Sequence, residues 1–419
     1  MLSPEDAWNR IETELALGEP EETSRPARVE VTRGEALGRV LAEPVAATLD
    51  QPFADVSSMD GFALAGPVTR GAVLPVVGES AAGHPPTRSL SAGEAMSIMT
   101  GAMLPGGADR VVPVERIERV DADAPRPSSP AVRIDDEPAA GTFVRRQGEV
   151  VRRGDPLLEV DTLLTPAALS LLASHGVARV AVRRAPTVAV LATGDEVVPA
   201  DDEPAAGQLR DSNSPFLAAA LSTLGLVGTS LGIAPDRRDA LAERIRAGLE
   251  HDVLLLCGGV SKGEYDFVED ELDALGCRRL FDAVAVQPGK PLVVARHARG
   301  WVFGLPGNPA SVMTTFWLFV RPLLRRLLGR RDGFWHGAVP ARAGSALPPT
   351  AGRDRFLPAT VHRAGDRLEA LPTVPRGSHD VSATARATAL LRLPAHSAAL
   401  PAGSRCEVLP LADWPFASP

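Results

Sequence analysis

Four glycine-bearing turns in the middle of the chain carry residue types that bind phosphate-like anions. They cover residues 193–196 (TGDE), 258–266 (GGVSKGEYD), 287–291 (QPGKP) and 304–311 (GLPGNPAS), and each follows a predicted strand. Backbone amides in such turns, with a helix start behind them, form an anion cradle. One such turn is more often an ordinary strand-to-helix connection, but four at one sheet edge favour ligand binding.

The side chains of these turns add hydroxyl groups and positive charge to the cradle. We therefore predict substrate binding by Thr193, Gly194, Asp195, Gly258, Gly259, Ser261, Lys262, Lys290, Pro306, Gly307, Asn308, Pro309 and Ser311. Only two of the 44 basic residues are lysines, Lys262 and Lys290, and both fall in these turns, as does the single tyrosine, Tyr265. This placement indicates that a compact ammonium group matters there, although chance is the alternative.

Carboxylates accompany the cradle at the same predicted edge, at Asp195, Glu196, Asp211 and Asp266. They would repel an anionic ligand unless a cation lay between, so the combination implies a divalent ion, most simply Mg²⁺, beside a phosphate group. Asp211 and Asp266 could instead cap the helices that follow them. Glu196 has no such alternative and is the best candidate for a metal ligand or catalytic carboxylate.

The first half of the chain contributes weaker candidates. Asp60 precedes a glycine in SSMDGFA, and Thr100 precedes one in MTGAMLP. Arg145 and Arg146 form a guanidinium pair that could contact an anion or face solvent. Alone, each of these segments is more often a plain turn.

The elements that must position these residues follow from hydrophobic periodicity between residues 187 and 328. Strands are predicted at 187–192, 227–233, 252–257, 280–286, 292–295 and 301–303, and helices at 214–224, 236–250, 266–275 and 308–328. Continuous apolar strands that alternate with helices indicate a doubly wound, mostly parallel α/β sheet.

The rest of the chain reads as smaller, largely β regions around that sheet. Ser3 opens a capping-box helix with Ala7, Trp8, Ile11 and Leu15 on one face. A second helix is predicted at 163–174 with Thr165 as N-cap, and residues 121–141 are predicted to be a loop-rich interruption. We divide the chain into a discontinuous helical and β domain (1–49 and 140–185), an inserted β domain (50–139), the α/β domain (186–332) and a C-terminal β domain (333–419).

Composition excludes several functional classes. The formal net charge is −8, which argues against nucleic acid as the main partner. The three cysteines form no CxxC motif, so zinc-ribbon and thioredoxin-like proteins are disfavoured. The N-terminus lacks an apolar signal region, and no apolar run is long enough to span a membrane. We expect a cytoplasmic protein.

The ordered motifs SSMDGFA, IMTGAMLPGGAD, FVRRQGEVVRRGD, TGDE, LRDSNS, GGVSKGEYD, QPGKP and LPGNPAS resemble the molybdopterin molybdenumtransferase family, which includes the C-terminal domain of gephyrin. The resemblance covers roughly residues 1 to 330, and GRDRFLPA at 352–359 extends it. It implies an enzyme of molybdenum-cofactor synthesis that takes adenylated molybdopterin, molybdate and Mg²⁺, releases AMP and leaves molybdenum on the dithiolene sulfurs.

The resemblance also implies a homodimer whose site lies between the α/β domain of one subunit and the inserted domain of the other. Asp60 and Thr100 would then face Glu196 and Asp266. Asp60, Glu196 and Asp266 would hold the cation, the molybdate or the attacking oxygen. The resemblance assigns nucleotide or pterin phosphates to Gly258, Gly259, Ser261 and Lys262, the molybdate and pterin pocket to Lys290 and residues 306–309, and further substrate contacts to Arg145, Arg146, Ser212 and Asn213. Other molybdenum-cofactor proteins are candidate partners.

Three positions depart from the family pattern. Phe62 stands where a tyrosine is usual, Val150 where an acid follows RRxGE, and Gln287 where a basic residue is common. The role of the missing acid could have moved to Asp155. Two alternatives stay open: an adenylyltransferase acting on molybdopterin, which would leave the outer regions without a role, and a non-catalytic cofactor-binding scaffold, which Val150 favours.

Overall fold

The computed structural model describes residues 1–17, 28–120, 130–259 and 267–411. The chain folds as two compact units. The larger unit comprises Met1–Val29, Gly38–Val40 and Val182–Pro419, and the smaller unit comprises Glu30–Leu37 and Leu41–Ala181. The four-part division expected from the sequence stays a prediction.

The first 183 residues contain two α-helices and twelve short strands among the described residues. These are α1 (Pro4–Leu17), β1 (Arg28–Thr32), β2 (Val45–Ala46), β3 (Val56–Ser57), β4 (Gly61–Leu64), β5 (Val73–Ser80), β6 (Ala95–Ile98), β7 (Arg110–Pro113), β8 (Ile117–Val120), β9 (Ala131–Ile134), β10 (Val144–Arg145), β11 (Pro156–Leu158), α2 (Pro166–Ser174) and β12 (Arg179–Arg183). Both predicted N-caps are confirmed, because the hydroxyls of Ser3 and Thr165 accept hydrogen bonds from the backbone N–H groups of Asp6 and Ala168.

The smaller unit is organised around a six-stranded sheet in the order β7-β4-β6-β5-β9-β8. Within the segment 121–141, predicted to be loop-rich, Ala131–Ile134 form a strand, β9, between β5 and β8. Val132 and Ile134 alternate inward and are buried. Neighbouring strands therefore overrode the weak local signal of a four-residue segment.

The middle of the larger unit alternates strands and helices. It contains β13 (Val188–Thr193), β14 (Val197–Val198), β15 (Leu209–Arg210), α3 (Asn213–Ser222), β16 (Gly228–Ala234), α4 (Arg238–Gly248), β17 (Val253–Cys257), α5 (Val268–Ala274), β18 (Arg278–Ala283), β19 (Val286–Gln287), β20 (Pro291–Arg296), β21 (Trp301–Leu305), α6 (Pro309–Thr315) and α7 (Arg321–Leu327). A π-helical turn at Phe316–Val320 joins α6 to α7 and interrupts the single helix predicted there. Pro322, which lacks a backbone N–H, follows this turn.

The main sheet has the order β16-β13-β17-β21-β20-β18. Its first four strands are parallel, whereas β20 runs antiparallel to both neighbours. Side chains alternate between two buried clusters: Val190 and Leu255 pack with α3 and α6, and Leu191 and Leu256 pack with α4 and α5. Helices therefore cover both faces, as the continuous apolar strands predicted. Trp8 of α1 also joins the first cluster and stacks on Phe334, 5.4 Å away.

The C-terminal part of the larger unit is a closed sheet. Its elements are β22 (Val339–Ala343), β23 (Asp354–Ala364), β24 (Arg367–Pro372), α8 (Val381–Ala385), β25 (Ala389–Leu393) and β26 (Arg405–Pro410). The order is β19-β23-β24-β22-β26-β25, and β25 pairs again with β23. The short strand β19 thus ties the segment before β20 to this barrel, with Gln287 opposite Arg355.

Candidate functional site

A cavity of about 600 Å³ opens where β13, β17 and β21 end. Its lining brings together eleven predicted residues: Thr193, Gly194, Glu196, Ser212, Asn213, Gly258, Gly259, Pro306, Gly307, Asn308 and Pro309. Asp211, Asp236 and His379 also line it. Because it holds three carboxylates, we call it the carboxylate cavity. The cavity therefore lies at the strand ends, where the sequence predicts a ligand site, and its binding role stays a prediction.

The backbone after β17 approaches β13 closely, which requires glycine. Gly258 has a φ of +98°, and a Cβ there would lie 2.8 Å from Thr193 Oγ1 and 2.9 Å from Thr193 O. Thr193 Oγ1 donates a hydrogen bond to the carbonyl of Cys257. Any larger residue at 258 would separate the two strand ends and move the loops that line the cavity.

Glu196 is an exposed carboxylate that no described residue engages. Its side chain makes no hydrogen bond or ion pair within the described part of the chain. It lies against Gly194, where an added Cβ would come within 2.6 Å of Glu196 Oε2. The oxygens of this carboxylate are therefore available for a ligand.

Asp211 fulfils the capping role that was its alternative interpretation. Its Oδ1 accepts hydrogen bonds of 3.0 Å from the backbone N–H groups of Asn213 and Ser214, at the start of α3. The side-chain amide of Asn213 donates to the carbonyl of Gly307, 2.8 Å away. Asp211 is buried, and this capping arrangement ties the turn before α6 to the start of α3.

Asp195 lies in a neighbouring cavity instead of the carboxylate cavity. Its Oδ1 accepts a hydrogen bond from the backbone N–H of Asp236 at 3.1 Å, and its own N–H donates to Asp236 Oδ2 at 3.4 Å.

Cys257 lines the carboxylate cavity. Burial, assisted by the charge of Asp211, raises the pKa of the Cys257 thiol. The thiol therefore stays protonated at neutral pH and is a poor metal ligand.

A second cavity, of about 360 Å³, lies between the main sheet and the C-terminal barrel. Lys290, Arg353 and Arg355 line it, together with Ser311, and its lining contains no carboxylate. None of the three cationic side chains makes a hydrogen bond or ion pair with another described residue. We call it the cationic cavity.

The two cavities share Pro291, Pro306 and Asn308 as common wall residues. The turn before β20 reaches this place because β20 is antiparallel, so its first residue lies beside the end of β21. Sequence reasoning missed Arg353, Arg355 and Ser378. The first two lie within GRDRFLPA, a match to which no role had been given, and Ser378 carried no signal.

Several predicted residues lie elsewhere or cannot be placed. Ser261, Lys262 and Asp266 are outside the described residues. The remaining candidates belong to the smaller unit. There, Arg146 pairs with Asp55 at 2.6 Å, whereas the side chain of Arg145 makes no hydrogen bond or ion pair within the described part of the chain.

The three residues that depart from the pattern of the resembled family lie in different surroundings. Phe62 is buried in the core of the smaller unit, whereas Val150 is 72% exposed. Gln287 lines the cationic cavity. Asp155 accepts a hydrogen bond from the N–H of Arg152 within its own turn.

The carboxylates of the cavity are the candidate ligands for the Mg²⁺ ion expected from the sequence. Within the described ranges, no three histidine, cysteine, aspartate or glutamate side chains are grouped as a metal site. Mg²⁺ in phosphate-binding sites is commonly held by one or two carboxylates, with water and phosphate as the other ligands. Glu196 and Asp211 both line the cavity and are the carboxylates that would hold such an ion, whose presence stays a prediction. In addition, no helix of the described residues is long and apolar enough to cross a bilayer.

Three family models match successive parts of the chain. The MoeA N-terminal region (domain I and II) matches residues 2–176, a probable molybdopterin binding domain matches 189–326, and the MoeA C-terminal region (domain IV) matches 340–411. A molybdopterin molybdenumtransferase of Nostoc sp. is 37% identical over 78% of this chain and 75% of its own length. One of Staphylococcus aureus is 31% identical over 93% and 92%, respectively.

Solved structures agree with this pattern. The molybdopterin biosynthesis MoeA protein of Pyrococcus horikoshii matches with a TM-score of 0.80 and 31% identity, over 99% of this chain and 100% of that one. A second structure from that organism, at 23% identity and a TM-score of 0.72, supports the fold alone.

Proposed function

This chain belongs to the molybdopterin molybdenumtransferase family and is an enzyme of molybdenum-cofactor synthesis by molybdate insertion, and we propose that its two adjoining cavities divide the binding of the substrates. The cationic cavity takes molybdate. The carboxylate cavity takes the phosphate-bearing part of an adenylated molybdopterin. The reaction cleaves the phosphoanhydride, releases AMP and leaves molybdenum on the dithiolene sulfurs.

The observation that carries this proposal is the uncompensated charge of the cationic cavity. Lys290, Arg353 and Arg355 converge there without a carboxylate, in a protein whose formal net charge is −8. Three cations around one small cavity create a local positive potential that favours the binding of an anion. Molybdate, a compact tetrahedral dianion, matches this charge, and Ser311 adds a hydroxyl group.

The carboxylate cavity suits a phosphate group accompanied by a cation. Gly258 and Gly259 bring backbone close to the ligand space without side chains, and the carboxylates of Glu196 and Asp211 would hold Mg²⁺. The ion would neutralise charge that develops on the phosphates during cleavage. Glu196, the carboxylate that no described residue engages, holds the cation or orients the attacking oxygen. Because the cavities share a wall, an anion in one lies next to a ligand in the other.

The family resemblance adds expectations about location, oligomeric state and partner proteins to this proposal. The enzyme would be a cytoplasmic homodimer, in which Asp60 and Thr100 of the partner complete the site, and other molybdenum-cofactor proteins would dock on it. Asp60 supports this view because it is an exposed carboxylate held by Thr100. The adenylyltransferase and scaffold alternatives are not favoured, since transferase relatives match nearly the whole chain.

The test is AMP release from adenylated molybdopterin, with and without molybdate and Mg²⁺. Wild type should release AMP in a molybdate-dependent manner, and Glu196→Ala should lose about 100-fold or more of that rate. Glu203→Ala is the matched control, since Glu203 is an exposed acid of the same segment that lines neither cavity. Binding of the nucleotide without AMP release would support the scaffold alternative and overturn the proposal.

A further inference from the structure

We propose that Asp354 is a positioning residue, which Arg392 holds so that Arg353 and Arg355 present their guanidinium groups to the cationic cavity. The inference rests on the proposed role of that cavity in binding molybdate. It adds residues that do not line the cavity but fix the strand from which two of its cations project.

The cavity arginines have no support of their own. Neither guanidinium makes a hydrogen bond or ion pair with a described residue. Their placement therefore depends on the backbone that carries them, which is the start of β23. Asp354 lies between them and is 6% exposed, while both arginines are partly exposed.

Strand alternation directs these neighbours to opposite faces. Asp354 and Phe356 share one face, and Phe356 stacks on Trp335 with ring centroids 6.3 Å apart. Arg355 lies between them in sequence and so projects to the other side of the strand, and Phe356 also contributes to the lining of the cationic cavity. Any rotation or shift of this strand would move Asp354 out of its buried position and Arg355 out of the cavity together.

Asp354 is held at both carboxylate oxygens and at its backbone. Its Oδ2 accepts a hydrogen bond from Arg392 Nε at 2.8 Å, and its Oδ1 accepts one from the N–H of Ala395 at 2.9 Å. Its own N–H donates to the carbonyl of Ala285, 2.9 Å away, in the segment that leads to Gln287 and Lys290. One aspartate thus connects the strand to two other segments of the barrel and sheet.

Arg392 is itself fixed by several groups from different parts of the larger unit. Its Nη2 lies 2.6 Å from Glu5 Oε1 of α1, and its Nη1 lies 3.5 Å from Glu407 Oε2. Its guanidinium carbon stands 4.0 Å from the ring centroid of Trp335. A buried ion pair of this kind contributes little net stability but specifies geometry when every partner is satisfied. We therefore assign the pair an orienting role.

The experiment compares Asp354→Asn with wild type by the KM for molybdate, by kcat and by calorimetric binding of molybdate alone. Asn keeps the size of the side chain and removes the charge that holds Arg392. We expect the KM and the dissociation constant for molybdate to rise by roughly tenfold, with kcat at saturating molybdate changed by less than about twofold. All assays are made at a temperature where circular dichroism shows both proteins folded.

Two further variants separate the possible outcomes. Asp366→Asn is the control, because Asp366 is 87% exposed, lies beyond the end of β23 and is 3.5 Å from Arg367, and it should leave the KM for molybdate unchanged. Arg355→Gln tests the cavity itself. If Arg355→Gln weakens molybdate binding and Asp354→Asn does not, the positioning role is wrong and the cavity assignment stands. If neither variant alters molybdate binding, the proposed function of the cavity is wrong. A lower melting temperature of Asp354→Asn with unchanged KM also overturns the inference, because a purely structural role predicts that result.

Discussion

Asp60 accepts two hydrogen bonds from Thr100 within the smaller unit, one from its backbone N–H at 2.6 Å and one from its hydroxyl at 2.8 Å, both to Oδ1. The two residues are 40 positions apart in the chain. In the sequence they belong to two separate weak motifs, and the fold brings the Thr100 hydroxyl and backbone N–H against the Asp60 carboxylate. Oδ2 stays available to a cation or a substrate.

The first prediction concerns the ionisation of Asp60. The backbone hydrogen bond from Thr100, followed by its hydroxyl bond, lowers the pKa of Asp60. Thr100→Ala removes only the hydroxyl bond, so the pKa of Asp60 should rise towards its usual value. Because a carboxyl with the usual pKa of 3.8 is still ionised at mildly acidic and neutral pH, the rate of AMP release should fall, by about twofold, only as the pH drops to about 4 or below, and should stay unchanged at neutral pH.

The measurement is a carboxylate NMR titration of Asp60 alongside the pH–rate profile. Thr100→Ser keeps the hydroxyl and should behave like wild type in both. If Thr100→Ala raises the pKa of Asp60 while the acidic limb of the rate profile does not move, Asp60 has no part in the reaction.

The second prediction concerns the missing acid at Val150. Because this side chain is 72% exposed, a carboxylate there needs no desolvation, and Val150→Asp should change the free energy of unfolding by less than about 0.5 kcal/mol. Asp155 is engaged in its own turn and is a poor replacement. We therefore expect Val150→Asp to raise kcat, while the uncharged Val150→Asn does not.

Steady-state AMP release at saturating substrates decides the matter. Equal kcat values for wild type, Val150→Asp and Val150→Asn would mean that this enzyme does not use an acid at that position.

The third prediction concerns Lys290 in the cationic cavity. Lys290→Gln removes one of three unpaired cations, so the KM for molybdate should rise by about tenfold, and its dependence on ionic strength should weaken. Arg363→Gln is the matched control, because Arg363 is exposed and lies near the far end of β23. Equal salt dependence of KM in Lys290→Gln and wild type would contradict a direct role for the ammonium group.

Much of the sheet and the carboxylate cavity followed from sequence because the signals there are local. The apolar run before Thr193 sets a buried strand, and the glycines at 258 and 259 set the turn after another. Parallel strand ends then meet at one edge for topological reasons, so Glu196 could be placed without knowledge of tertiary contacts.

The cationic cavity could not be predicted in the same way. It depends on β20 running antiparallel and on the pairing of Gln287 with Arg355, and neither feature leaves a local pattern. Arginine is also common throughout this chain, so Arg353 and Arg355 did not stand out. Only the closure of the barrel distinguishes them from arginines that face solvent.

The last prediction concerns acid stability and Asp252, which immediately precedes β17. Its carboxylate accepts two hydrogen bonds from the Arg184 guanidinium at 2.8 Å, and one each from the N–H and hydroxyl of Thr187. Desolvation opposes ionisation, but these four bonds together lower the pKa of Asp252 below its usual value of 3.8. A depressed carboxylate pKa contributes stability above the unfolded-state pKa, and that stability is lost as the pH falls through the folded-state value.

Asp252→Asn should therefore lower the free energy of unfolding by about 1–2 kcal/mol at neutral pH, a figure kept small because the Arg184 side chain is 45% exposed and partly screened. The melting temperature should drop by roughly 2–4 °C, and the difference from wild type should shrink as the pH falls below about 4. Asp239→Asn is the control, since Asp239 is 83% exposed and its ion pair with Arg237 is long, at 3.8 Å. Thermal melts across the acidic range measure the effect. A deficit that persists undiminished at low pH would show that Asp252 acts through its hydrogen-bonding shape and not through its charge.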